Sequence, residues 1–284
     1  MLQNVIIRLS QLVPLSLRSG LASSSYGSFV RSILNRMSKD PLPIVRLCGP
    51  LAGRRMRVNW ALHKTYVFGT HEPQVMQTIK DLVQPGWTTI DIGAHIGYST
   101  LLLATCVGPK GRVIAFEPLT ENFKLLQENT RLNGFSNIFA ENLALMGQSG
   151  QIELRSATPG AITWVASTSV DQATAVEGRI VEGITLDEYA ERKRIERIDF
   201  VKMDVEGAEA SVLSGMTSIL GRDKPILLIE IHEYNRYGES HPALRKLREY
   251  SYKISNLGLR NWEQHVLATA GHQLPPRVET APSS

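Results

Sequence analysis

Past about residue 54 the apolar positions fall into short runs that alternate with stretches of helical periodicity. TTIDIGA (88–94), RVIAFEP (112–118), NIFAENLAL, RIDFVKMDV (197–205) and PILLIEIHE (225–233) read as strands. Between them IGYSTLLLATCVG, LTENFKLLQENTRLNG and EGAEASVLSGMTSIL read as helices, the second closed by Asn133-Gly134. Ahead of this series, RMRVNWALH predicts a strand. HEPQVMQTIKDLV predicts a helix with Pro73 in its first turn and Val75, Met76, Ile79, Leu82 and Val83 on one face. After it come a helix, HPALRKLREY, and two late strands, YSYKIS and HVLATA; a late strand that returns through a short connection must run antiparallel to its neighbour. Strands apolar on both faces and separated by helices predict a mostly parallel sheet covered on both sides, a doubly wound α/β fold.

Four segments depart from the alternation. Residues 147–192 form an insertion too long for an ordinary loop, with short strands in GQIELRSA, ITWVASTS and RIVEGITLDEYA and a helix start at Thr185. It falls at the carboxyl edge of the sheet, where loops build sites, and is assigned to substrate selection. Segment 20–53 mixes Ser, Gly and Pro and reads as a linker or a wrap around the core, and 271–284 reads as a disordered tail. The expected division is thus an arm and linker over 1–53, one domain over 54–270, and the tail.

Charge alters the picture only at the N-terminus. The chain of 284 residues carries a net +4, and residues 1–39 hold no acid but five basic residues, so the arm accounts for the excess. Leu2, Val5, Ile6, Leu9, Leu12 and Val13 recur there at helical spacing beside Arg8. Three readings stay open: a helix on the domain's flank, a helix in peripheral contact with an anionic membrane through residues 1–20, or a cleaved transit peptide. The core lacks the basic and aromatic interleaving that nucleic acid requires. Two cysteines, Cys48 and Cys106, at no metal-like spacing point to a reducing, cytoplasmic interior, and no apolar run approaches the roughly 18 residues of a membrane span.

In an open α/β sheet the ligand lies beyond the carboxyl ends of the strands, so the strand-to-helix corners carry the candidate chemistry. The first corner, DIGAHIGYST, has Gly93 and Gly97 for a sharp turn and Asp91 as an acceptor at the strand end, but no Gly-Lys-Ser/Thr and no G-x-G-x-x-G. The second corner, AFEP, ends in Glu117, 26 residues after Asp91, where an acid can accept both hydroxyls of a ribose. A glycine corner paired with a ribose acid and without a pyrophosphate fingerprint points to a nucleoside cofactor, with S-adenosyl-L-methionine the natural candidate.

The run IDIGAHIGYST, VIAFEP, LDEYAERKRIERIDFVKMDVEGAE and ILLIEIHE, in this order, resembles the FkbM family of S-adenosylmethionine-dependent class I methyltransferases over about residues 66–234. The resemblance implies a seven-stranded sheet of order 3-2-1-4-5-7-6 with strand seven antiparallel, and O-methylation of a hydroxyl on a sugar, glycolipid or other natural product. It also implies that Asp91, Gly93 and Gly97 hold the methionine end of the cofactor with Ala94 and His95 among the cofactor-binding residues, Glu117 the ribose, Asn142 the neighbourhood of the adenine, and Glu72 a place near the cofactor. His95 stands where the family more often has Asn, and is read as a turn residue over the cofactor rather than a catalytic histidine.

Methyl transfer from a sulfonium needs alignment and dryness first, and a base only where the acceptor is an alcohol. Asp204, Glu206, Glu230, His232 and Glu233 are the acids and bases at the last two corners. Asp204, His232 and Glu206 are taken as the catalytic set, with His232 the preferred base of the fifth strand. Glu206 and Glu209 are also read as favouring the start of the following helix. The adopted reading has no metal, the alternative being an oxygen-rich site on Asp204, Glu230 and a neighbour. The expected partner is a small-molecule or glycan acceptor; RNA or protein as acceptor, and a non-catalytic scaffold, are the competing readings.

Overall fold

A computed structural model of the chain describes residues 42–156, 165–166, 177–260 and 263–271. The basic arm, the tail and part of the insertion lie outside the described residues.

Two short strands, β1 (Ile44–Arg46) and β2 (Arg55–Arg57), pair antiparallel ahead of helices α1 (Trp60–Phe68) and α2 (Pro73–Leu82). The strand expected over RMRVNWALH therefore ends at Arg57. From Trp60 the chain is helical, with a kink at His63, because Trp60 and Val67 turn into the core and leave Leu62 outside. The core of the fold then follows as β3 (Thr88–Ile92), α3 (Tyr98–Val107), β4 (Arg112–Phe116), α4 (Thr120–Leu132) and β5 (Ile138–Glu141).

Just ahead of the insertion lies β6 (Ala144–Leu145) and within it β7 (Gly150–Ser156), β8 (Val165–Ala166) and β9 (Glu177–Ile184); the four form a separate sheet in the order β6-β9-β7-β8. The run NIFAENLAL is thus not one strand: β5 stops at Glu141 and β6 belongs to the second sheet. Helix α5 (Leu186–Arg192) starts where the sequence places it, the Thr185 side chain accepting from the Glu188 amide.

After α5 come β10 (Phe200–Met203), α6 (Glu209–Ser214), α7 (Thr217–Arg222), β11 (Ile226–Ile231), α8 (Tyr234–Tyr237), α9 (Pro242–Glu249), β12 (Lys253–Arg260) and β13 (Glu263–Thr269). The helix expected over EGAEASVLSGMTSIL is two, α6 and α7, broken at Gly215.

The main sheet runs β12-β13-β11-β10-β3-β4-β5, parallel from β5 to β11. β13 runs antiparallel to both β11 and β12. Counted in chain order, these seven strands read 3-2-1-4-5-7-6 across the sheet. Each central strand is buried on both faces. Ile90, Val201, Met203 and Ile229 point towards α5, α6, α7 and α9, while Phe200, Ile226 and Leu228 point towards α2 and α3. Val45, Leu47 and Leu51 join the second of these cores, so the segment from Ile44 packs with the domain.

The β1–β2 hairpin is fastened to α4 by a match of two periods. Asn129 and Asn133 are four residues apart on the helix, about 6 Å of rise, and Arg55 and Arg57 are two apart on a strand, about 6.6 Å. Asn133 accepts from the Arg55 amide at 2.9 Å and donates to its carbonyl at 2.7 Å. Asn129 accepts from the Arg57 amide at 2.6 Å and donates to the Ile96 carbonyl at 2.8 Å. Asn129 is fully buried, so truncating it strands these groups. Asn129→Ala is expected to cost about 2–4 kcal/mol in urea denaturation, the penalty for buried backbone groups left without partners.

Candidate active site

A cavity of about 380 Å³ opens at the carboxyl ends of β3, β4, β10 and β11, within the range of small-molecule pockets. Its first wall is the corner after β3. Gly93 has φ 77°, and a Cβ there would lie 1.8 Å from the carbonyl oxygen of Asp204. The glycine is needed, then, because the first and fourth corners touch through their backbones. The amides of Gly93 and Ala94 both donate to the Phe116 carbonyl at 3.0 Å, which joins this corner to the second as well. Gly97, also left-handed, faces Leu126 of α4.

The second wall is Glu117. Its Oε2 accepts from the His95 amide at 2.8 Å and its Oε1 from the Leu119 amide at 2.9 Å and the Asn122 side chain at 3.4 Å, and the residue lines the cavity. Burial pushes its pKa up to about 7 against the pull of these amides. Asn142 donates to the Glu117 and Pro118 carbonyls at 2.9 and 2.8 Å and accepts from the Thr120 hydroxyl. Its side chain clamps the corner from behind instead of lining the cavity, because both ends of the amide are already engaged.

His95 has φ 50°, the left-handed turn conformation expected of it. Its Nδ1 lies 3.3 Å from the Tyr66 hydroxyl, and burial, aided by His63, Lys202 and His71, pushes its pKa down to about 3. The ring is neutral at physiological pH. Asp91 is fully buried beneath the corner, with Oδ2 accepting from the Thr100 hydroxyl at 2.6 Å and Oδ1 without a hydrogen-bond partner among the described residues. Asp91, Ala94, Gly97 and Asn142 thus shape the corners, whereas Gly93, His95, Glu117 and Glu72 reach the cavity surface.

The third wall is acidic. Asp204, Glu206, Glu230 and His232 line it together. Between them lies Lys202, a buried ammonium whose Nζ is 3.3 Å from Asp204 Oδ2. Burial disfavours the charge of Lys202, but Asp204, Asp91, Glu72 and Glu230 outweigh it and keep the ammonium protonated. Asp204 is pushed up to about 7 by burial and by Glu230, Glu206 and Glu72, which together exceed the opposing effect of Lys202. Glu230 goes the other way, to about 2, because His265, paired with it across the β11–β13 ladder at 3.5 Å, and Lys202 overcome its burial. Among the described residues, Asp204–Glu230–His232 and Glu72–Glu230–His265 each bring three potential ligand atoms within 4.8 Å of one another.

His232 Nε2 lies 3.1 Å from Glu206 and 4.0 Å from Asp204, so the structure brings the three residues of the expected catalytic set together. Glu206 has φ 52° and sits in the loop before α6; it does not begin the helix. Glu209 does begin it but is fully buried, with Oε1 2.8 Å from His232 Nδ1. Glu209 thus stands at the helix start as expected, and its burial against His232 adds a contact that the sequence did not suggest.

Sequence reasoning also passed over Lys202, Tyr66, His71 and His265. The signal for Lys202 was present, a lone cation inside the buried strand FVKM. His265 carries no such signal, since only strand pairing sets it against Glu230.

The pocket lies at the carboxyl edge of the 3-2-1-4-5-7-6 sheet, where open α/β folds bind their ligands. The Methyltransferase FkbM domain profile matches residues 91–254, and the chain belongs to that family. It is 29% identical over 143 residues to the hexuronic acid methyltransferase AglP of Haloferax volcanii, covering 50% of this chain and 54% of that protein. It is 27% identical over 143 residues to Methyltransferase 1 of Beauveria bassiana, covering 45% and 57%. The chain spans about half the length of the curated relatives it matches. A crystal structure of Methyltransferase FkbM from Methylobacillus flagellatus aligns over 85% of this chain and 60% of its own, at 19% identity and a TM-score of 0.46. No helix among the described residues is long and apolar enough to cross a membrane.

The Gly93–Asp204 contact makes a sharp test of the corner. Gly93→Ala is expected to destabilise the fold by roughly 2–5 kcal/mol, combining a left-handed residue with a steric clash. Gly134→Ala, also left-handed but facing open space, is expected to cost only about 1–2 kcal/mol in the same denaturation experiment.

Proposed function

We propose that the chain transfers the methyl group of S-adenosylmethionine to a hydroxyl of a sugar or sugar-like natural product. The observation that carries this reading is the acidic third wall, where Asp204, Glu206 and Glu230 share one end of the cavity with His232. The cofactor supplies an activated methyl on a cationic sulfur, a charge that such a wall favours. A hydroxyl acceptor has to lose its proton, and His232 beside these acids is a group that can take it. Of the groups that a hexuronic acid offers, the hydroxyl is the one that calls for such a base, and the methyl is assigned to it. The similarity to a hexuronic acid methyltransferase supports a sugar acceptor.

The residues of the first two corners fit a nucleoside. Glu117, held by two amides, would accept the ribose hydroxyls, and Leu119 and Leu143 offer apolar surface for the base beside it. Gly93, His95 and Glu72 would border the methionine end, with Asp91, Ala94 and Gly97 supporting the turn from below and Asn142 securing the Glu117 corner. The insertion contributes Leu154 to the cavity lining, and the segment just before it Leu145 and Met146, which supports a role in acceptor choice. Alignment and exclusion of water are what these walls provide, and together they supply most of what an in-line displacement needs.

Two measurements test the reading. With glucuronate- and hexose-terminated glycans, the transferred methyl is expected in an alkali-stable ether; a methyl released by mild alkali would mark an ester and reject the hydroxyl assignment. Calorimetry with S-adenosylmethionine should show affinity falling as pH drops through Glu117's pKa of about 7, because only the ionised carboxylate can accept both hydroxyls. The expected loss between pH 8 and pH 6 is roughly tenfold, the change in ionised fraction. Glu117→Gln should bind weakly and without that dependence, and an unchanged affinity in this variant would exclude the ribose role.

A further inference from the structure

The most unusual group near the pocket is one that the transfer reaction does not itself call for. Glu209 is fully buried, its Oε1 accepts from the Gly207 amide at 2.9 Å and faces His232 Nδ1 at 2.8 Å, and its Oε2 has no hydrogen-bond partner among the described residues. Burying a carboxylate is costly unless a partner compensates it, and the first turn of a six-residue helix offers too little to account for it. The partner that compensates is the imidazole.

We propose that Glu209 is a positioning residue for His232, holding the imidazole with Nδ1–H towards itself so that Nε2 receives the proton of the acceptor hydroxyl. This rests on the hydroxyl reading above. The geometry is directional. With Nδ1 committed to the buried side, Nε2 can only face the cavity, where Glu206 Oε2 stands 3.1 Å away and Asp204 Oδ1 4.0 Å away. Glu206 lies in a loop and is partly exposed, so its side chain can give way to an acceptor hydroxyl at that position. Asp204, on the other flank, is placed to orient the same hydroxyl.

In the step itself the acceptor O–H bond breaks and its proton passes to Nε2. The oxygen bonds to the methyl carbon as the carbon–sulfur bond breaks, and that electron pair stays on sulfur, leaving a neutral thioether. Glu209 keeps its contact with Nδ1 and stabilises the imidazolium that forms. The proton then leaves to solvent on the Glu206 side.

The groups facing the ring are Asp204 from the end of β10, Glu206 and Glu209 from the loop and α6, Glu230 from β11, and His241 from the start of α9. Burial disfavours the ring's charge, but Glu206 and Glu209 outweigh it and push the pKa up to about 11. The free base is therefore scarce near neutrality, and turnover should climb with pH well above 7.

Two readouts test the proposal. In protein carrying ring-labelled histidine, with His232→Asn to identify the resonance, NMR titration of His232 should give a midpoint well above 6.5. Glu209→Gln should lower that midpoint by more than one pH unit, and Glu209→Asp by less. In turnover, Glu209→Gln should move the rising limb of the kcat–pH profile down by the same interval and reduce the plateau roughly 10²-fold, the scale of general-base catalysis, with cofactor affinity unchanged. A wild-type midpoint near 6.5, or a limb that Glu209→Gln does not move, overturns the proposal; the wild-type titration decides it even if that variant does not fold. Failure to methylate any hydroxyl, with the NMR shift intact, would instead reject the acceptor reading and with it the proton-transfer role.

Discussion

Lys202 lies on a central strand with neighbours on either side, in a position that an apolar residue would ordinarily fill. Its ammonium is within reach of Asp204 and exerts its field on Asp91, Glu72 and Glu230, carboxylates drawn from four separate places in the chain. Buried acids at such proximity would hold on to their protons or force the strand ends apart. With one fixed cation among them, some can stay ionised, and the carboxyl ends of β3, β10 and β11 can close on a single pocket. Lys202 draws both Asp204 and Glu230 down; His265 carries Glu230 lower still, while burial and the neighbouring acids leave Asp204 raised.

The pocket is built from backbone as much as from side chains. The first corner turns tightly enough that its glycine touches the carbonyl of Asp204, and two of its amides reach the second strand. Glu117 then reaches back to the amide of His95. Each corner is therefore braced by the next, and the side chains that face the cavity inherit their positions from this lattice. The strands β6 to β9 stand outside it as a separate sheet.

The acids of FVKMDVEGAE have three different fates, decided by a few ångströms. Asp204 ends its strand at the cavity, Glu206 is carried by a left-handed residue to the mouth of it, and Glu209 turns inward beneath His232. Gly207 permits the reversal between them. Spacing along the chain cannot distinguish these fates, because a loop of this kind does not keep a helix's or a strand's periodicity.

The order and type of the central elements were legible from periodicity alone, since strands buried on both faces and amphipathic helices leave strong local patterns. So were the corner residues Gly93 and Glu117, which stand at strand ends, although the contacts that fix them, with Asp204 and the His95 amide, are long-range. The kinked helix at Trp60, the division of NIFAENLAL between two sheets and the break at Gly215 were not legible, because in each case packing overrides a weak local preference. Nor could the sequence by itself assign Glu209 to His232, Glu230 to His265, or Asn129 to the edge of a distant strand. Those pairings join residues far apart in the chain, and burial, which makes a carboxylate or an amide seek a partner, comes into being only when the chain has folded.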